Sequence, residues 1–136
     1  MPPPPGFDHD LPSLGSLGSL GDEARRIVVV EVAGALDMDA CPQVQARLGQ
    51  ALSLHDPPLV ALGVGGVTSA DSFGLTVLLA ADRHARASGG RMVAYAAGLT
   101  LRKTLRDRAL DGVLDLRPSL AEALRALRRH AGAFTL

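Results

Sequence analysis

Leu59-Val60-Ala61-Leu62-Gly63-Val64-Gly65-Gly66-Val67-Thr68-Ser69-Ala70-Asp71-Ser72-Phe73-Gly74-Leu75 is the stretch from which the fold can be read. Leu59 to Val64 is an unbroken apolar run, as expected of a strand buried on both faces. Gly65-Gly66 reads as the end of that strand and leaves residues 65–72 as a loop. After Asp71-Ser72 the apolar residues Leu75, Leu78 and Leu79 fall at helical spacing, and Gly89-Gly90 stops the helix. A strand, a loop and a helix in this order form the first part of a parallel crossover.

The alternation continues in both directions. Upstream, Ile27 to Val32 is a β-branched strand run closed by Gly34. Asp39-Ala40-Cys41-Pro42 then opens a helix, with Asp39 as cap and Pro42 in the first turn. Val44, Leu48, Ala51 and Leu52 follow at helical spacing until His55-Asp56-Pro57-Pro58. Downstream, Met92 to Ala96 is a third strand and Leu101 to Leu110 a short basic helix stopped by Asp111-Gly112. Val113 to Leu116 is a short fourth strand, and Ser119-Leu120-Ala121-Glu122 is a capping box opening a last helix to about His130. Strands separated by single helices imply the α/β class: one domain, a mixed, mostly parallel sheet of four to five strands, and about four helices. Its expected bounds are 24–130, with a short C-terminal tail over 131–136. Residues 1–23 differ in composition, with Pro2 to Pro5 ahead of the repeat Leu14-Gly15-Ser16-Leu17-Gly18-Ser19-Leu20-Gly21. A flexible tail is expected there, with an edge strand built on its leucines as the alternative.

Composition narrows the function. The chain has 136 residues, enough for one domain, and its 47% apolar content is enough to fill a core. A formal net charge of zero argues against a nucleic-acid or anionic-membrane partner, and 3% aromatic residues leave little for base stacking. The single cysteine excludes an intrachain disulfide and a cysteine-rich zinc site. Asp37 and Asp39 lie close in sequence, but no histidine or cysteine pair supports a metal there. No apolar run approaches the roughly 20 residues that span a bilayer, and no secretory signal is visible. The expectation is a cytoplasmic protein with no cofactor and no membrane insertion.

Ser72 stands where a strand gives way to a helix, among unpaired backbone N–H groups and the positive end of the helix dipole. A phosphate on it would add roughly −1.5 to −2 charges beside Asp71. The fold would tolerate that charge while a docked partner would not. Asp71 and Ser72 are also ordinary helix caps, and Gly74 also suits close packing of helix on strand. Hydrolysis at Ser72 would need a general base, yet His84 lies about 18 Å along the same helix at 1.5 Å per residue. His9, His55 and His130 have no triad context, and Gly-x-Ser-x-Gly is absent. Gly65-Gly66-Val67-Thr68-Ser69 lacks the lysine of a phosphate-binding loop. The expectation is that the chain is not an enzyme. Cys41, near a helix start, is either a lowered-pKa thiol or a buried structural residue. Arg102-Lys103-Thr104-Leu105-Arg106-Asp107-Arg108 is either a solvated helix face or a docking surface for an acidic partner.

In order and spacing these features resemble the STAS domain of bacterial anti-sigma-factor antagonists, over about Arg26 to Leu127. Val32-Ala33-Gly34-Ala35-Leu36-Asp37 is similar to the family's Gly-Glu-Leu-Asp turn, and Asp71-Ser72-Phe73-Gly74-Leu75 to its Asp-Ser-x-Gly-Leu signature. Ala87-Ser88-Gly89-Gly90-Arg91-Met92 and the segment from Leu105 to Leu124 resemble its later turn, strand and closing helix. The resemblance implies that Ser72 is phosphorylated by an anti-sigma factor with serine kinase activity. The unmodified form would bind that kinase and free a sigma factor for stress-responsive transcription, and a serine phosphatase is a further candidate partner. Asp37, Asp71, Ser72, Phe73 and Gly74 become the expected partner-binding residues. Ala35 replaces the family's usual Glu, and Gly63 replaces a polar residue, which puts the efficiency of phosphorylation and the choice of kinase in question. The alternative for the same fold is a stressosome scaffold or a lipid-transporter subunit in which the phosphosite is unused.

Overall fold

The computed structural model describes residues 26–132. The Pro/Gly/Ser-rich segment, with its alternative edge strand, lies outside the described residues. The elements follow one another as β1 (Ile27–Leu36), α1 (Cys41–Ser53), β2 (Leu59–Ala70), α2 (Ser72–Ala87), β3 (Arg91–Tyr95), α3 (Leu99–Asp107), β4 (Leu116–Arg117) and α4 (Leu120–Gly132). The strands form one sheet in the order β1-β2-β3-β4, each pair parallel. The α/β expectation therefore holds, with four strands and four helices among the described residues.

The layering follows from the two-residue period of the strands. Val28, Val30 and Val32 of β1, Val60, Leu62 and Val64 of β2, and Met92 and Ala94 of β3 point to one face. There they pack against Val44 and Leu48 of α1, Leu75 and Leu78 of α2, and Leu101 and Leu105 of α3. The alternate residues, Ile27, Val29, Leu59, Ala61, Val93 and Tyr95, meet Ala123, Leu124, Ala126 and Leu127 of α4 on the other face. Consecutive parallel strands with crossovers of one hand put all the connecting helices on one side, so α4 is left to cover the other. Ser119 opens α4 as expected, its Oγ accepting from Glu122 N at 3.3 Å.

Three expectations are corrected. Gly34 and Gly65-Gly66 do not end their strands. β1 and β2 continue as a paired arm, Ala33 to Gly66, Gly34 to Val67, Ala35 to Ser69 and Leu36 to Ala70, past two register shifts. The extra residues lie in β2, at Val64-Gly65 opposite Val32 and at Thr68, and Gly34 borders the second shift with φ +83°, so the pairing bends without stopping. Residues 65–70 thus belong to a strand, and the loop shrinks to Asp71. Second, the short strand expected over Val113–Leu116 is Leu116–Arg117. Val113 is exposed in a turn whose carbonyl accepts from Arg86 Nη2 at 3.1 Å. Third, α1 is capped by Ala40, without a side-chain cap bond, and not by Asp39. Asp37 supplies the local carboxylate, Oδ1 accepting from Ala40 N at 3.0 Å.

The Gly63 departure has a packing reason. A Cβ on Gly63 would lie 2.7 Å from the Tyr95 hydroxyl, so the tyrosine occupies the space of a side chain at 63. Burial, with the Glu31 carboxylate nearby, pushes the Tyr95 pKa up to about 12, and the phenol stays neutral.

Asp115 fixes the far edge of the sheet, accepting from Arg117 Nε at 2.7 Å and pairing with Arg91. Burial alone would raise its pKa, but the hydrogen bonds and charges of Arg117 and Arg91 outweigh that and hold the carboxyl below its ordinary value. A carboxylate depressed in the folded state contributes stability above its unfolded pKa, and that contribution is lost as pH falls through the folded one. Asp115→Asn is therefore expected to cost about 1–3 kcal/mol at pH 7 and progressively less below about pH 4. Urea melts of both proteins at pH 7 and pH 3 check it. Asp82, whose pKa burial pushes the other way, is present in both proteins, with the smaller push from the Asp115 charge removed in the variant.

Candidate functional site

The arm of β1 and β2 ends beside the first turn of α2, and the site is built there around Asp71. Its backbone N donates to Leu36 O at 3.0 Å, which ties the end of β2 to the end of β1. Its side chain caps α2, Oδ1 accepting from Gly74 N at 2.9 Å. Oδ2 accepts from Met38 N at 3.2 Å and so clips the turn after β1 to the same point. One carboxylate thus holds strand, turn and helix together. Asp37 sits in that turn, its side chain spent on Ala40 N.

Gly74 makes the approach possible. A Cβ there would stand 2.1 Å from Leu36 O, inside any allowed contact, so the first turn of α2 lies directly on the β1 backbone. With Asp71 as the cap, Ser72 is the first helical residue and its hydroxyl is free of capping duty. The Ser72 side chain is exposed. Phe73 beside it is 56% exposed and Met38 58%, large apolar side chains left in solvent around a polar centre.

The structure brings Asp37, Asp71, Ser72, Phe73 and Gly74 to one end of the sheet, where β1 and β2 finish. Carboxylates from both turns also act on Cys41. Cys41 is half-buried, and partial burial first, then Asp71 and Asp37, push its thiol pKa up, the direction opposite to the lowered-pKa alternative.

One residue of the site was not singled out in the sequence. Arg108, the C-cap of α3, reaches across 36 positions of chain to donate from Nη1 to Ser72 Oγ at 2.6 Å. Its basic segment gave the only signal, and neither a solvated face nor an acidic-partner surface describes this contact. Lys103 and Asp107 of that segment do form an ordinary exposed pair on α3. Among the described residues no three His, Cys, Asp or Glu side chains gather as metal ligands, and no helix is long and apolar enough to cross a membrane.

The family described as "Mlab, STAS domain" matches residues 21–118, well over half of the chain. Among solved structures, an anti-sigma factor antagonist from Mycobacterium paratuberculosis is 28% identical, with a TM-score of 0.66 over 76% of this chain and 86% of that one. SpoIIAA, a Bacillus cell fate determinant solved in unphosphorylated and phosphorylated forms, is similar at 23% identity. Its unphosphorylated form gives a TM-score of 0.62 over 77% of this chain and 90% of that one. The STAS domain of a SulP transporter from Vibrio cholerae shares the fold at 18% identity, with a TM-score of 0.61 over 80% of this chain and 86% of that one. Among curated protein sequences none matches.

Proposed function

The chain belongs to the STAS domain family, and on that premise we propose that it is an anti-sigma-factor antagonist switched by phosphorylation of Ser72. Unmodified, it binds an anti-sigma factor that is also a serine kinase, and sigma-dependent transcription proceeds. The observation that carries this proposal is the placing of Ser72: an exposed hydroxyl on the first turn of a helix, relieved of capping by Asp71 and flanked by exposed Phe73 and Met38. The likeness to the mycobacterial antagonist supports it.

The apolar pair gives a partner something to bury, and the hydroxyl at its centre gives the interface a point of control. In the transfer step Ser72 Oγ bonds to the γ-phosphorus of ATP held by the partner. The bond from that phosphorus to the β-phosphate oxygen breaks, the hydroxyl proton passes to a base of the partner, and ADP leaves. The product places roughly −1.5 to −2 charges in the contact and repels the carboxylates and apolar groups docked there. In this scheme the chain is the substrate and the partner the catalyst. A serine phosphatase completes the cycle.

Affinity capture from lysate of the source organism, with wild-type, Ser72→Asp and Phe73→Ala baits, tests the proposal. An ATPase-fold serine kinase should be retained by the wild type and lost from both variants, at unchanged melting temperature. The family's description as "Mlab" and the SulP neighbour favour a second function, a transporter-associated subunit with an idle Ser72. Equal retention of a transporter component by wild type and Ser72→Asp would put that function first.

A further inference from the structure

We propose that Arg108 is the intramolecular receptor for a phosphate on Ser72: α3 supplies the cation that binds the modified serine of α2. The proposal rests on Ser72 being the phosphorylated residue and adds what becomes of the phosphate afterwards.

Arg108 Nη1 already lies 2.6 Å from Ser72 Oγ, the atom that would carry the phosphorus. A phosphoryl group on Oγ brings three acceptor oxygens within reach of a planar fork of N–H donors, the geometry for which arginine is suited. The guanidinium is also available. Among the described residues no carboxylate pairs with Arg108, whereas Lys103, Arg86, Arg91, Arg117 and Arg125 each have an acidic partner. An exposed arginine turned toward a neutral hydroxyl has little electrostatic reason to stay there, and a dianion in that place supplies one.

Its position is fixed by the backbone. α3 ends at Arg108, and the chain reverses through Ala109 in the left-handed region, φ +57°. Ala109 N donates to Arg106 O at 3.0 Å and Leu110 N to Leu105 O at 2.7 Å, closing the helix end in a Schellman-like turn. Leu105 is fully buried in the core and Leu110 packs partly against it, so the carrier of Arg108 is anchored on both sides. Opposing charge comes from Asp71, the neighbour in sequence, and from Asp37 in the turn that Asp71 clips. Arg108 offsets these carboxylates and lets the phosphate rest on its own chain. The released state would then be a defined, internally paired surface.

The test needs no kinase. Phosphoserine is placed at position 72 by encoded incorporation in the wild type, Arg108→Lys and Arg108→Ala, and the phosphate is titrated by 31P NMR. An adjacent guanidinium favours the dianion, so the wild-type midpoint should lie at least about half a pH unit below that of Arg108→Ala, with Arg108→Lys between them. High salt should move the wild-type midpoint toward that of Arg108→Ala. The unmodified proteins should melt together, because Arg108 is exposed. Superposable titrations of wild type and Arg108→Ala would overturn the receptor. Because no partner takes part, a normal shift with failed kinase capture would condemn the switch alone, and the reverse would condemn Arg108 alone.

Discussion

Gly74→Ala is expected to destabilise the domain by about 3 kcal/mol or more, lowering its melting temperature by roughly 10–20 °C. Helix propensity argues the opposite, since alanine in place of glycine stabilises a helix by up to about 1 kcal/mol. Geometry decides, because the new Cβ would stand 2.1 Å from Leu36 O and 2.8 Å from Leu36 Cβ. Relief requires α2 to lift from β1, and the bond from Asp71 N to Leu36 O stretches with it. The loss therefore falls on the element that presents Ser72, and partner binding should weaken along with stability. Gly49→Ala on α1 is the control, since a Cβ there meets nothing within 4 Å. It should be neutral or slightly stabilising. Calorimetry of the three proteins separates a steric requirement at 74 from a general sensitivity of helix glycines.

The second large effect is on association. Phosphate at Ser72 should weaken binding to the captured kinase by about a hundredfold or more, the scale of about 3 kcal/mol for added charge forced into a contact. Ser72→Ala should bind nearly as well as the wild type, because Asp71 and not Ser72 caps the helix. That contrast matters. If the hydroxyl served the fold, Ser72→Ala would lose stability, and loss of binding on modification would be uninformative.

Much of this architecture is legible in the chain. The runs 27–30, 59–64 and 92–95 are buried on both faces of a covered sheet, so their composition announces them without alternation. The arm beyond them is not legible, because Gly34, Gly65 and Gly66 look like strand ends and lie instead within the paired arm, at or beside its register shifts. Glycine's freedom suits either use, and only the pairing of β1 with β2 decides. Val113 carries a strand-forming side chain but sits exposed in a turn closed by Val113 N to Leu110 O at 3.0 Å, while its neighbour Leu114 turns into the core. At the site, Asp71 as cap and Gly74 as a close-packing residue were both available from local rules. Arg108 was not, since a contact 36 residues long depends on where the fold brings the end of α3. Likewise the replacement of a polar side chain by Gly63 made sense only with Tyr95 in view.

The central claim is that the state of one hydroxyl, Ser72, sets whether the domain is bound. Its most direct test is a calorimetric titration of the purified partner kinase with the unmodified protein and with the protein carrying encoded phosphoserine at 72. The account predicts tight binding for the first and a Kd raised by about two orders of magnitude or more for the second. Equal Kd values for the two would contradict it and leave Ser72 as an ordinary first-turn residue of α2.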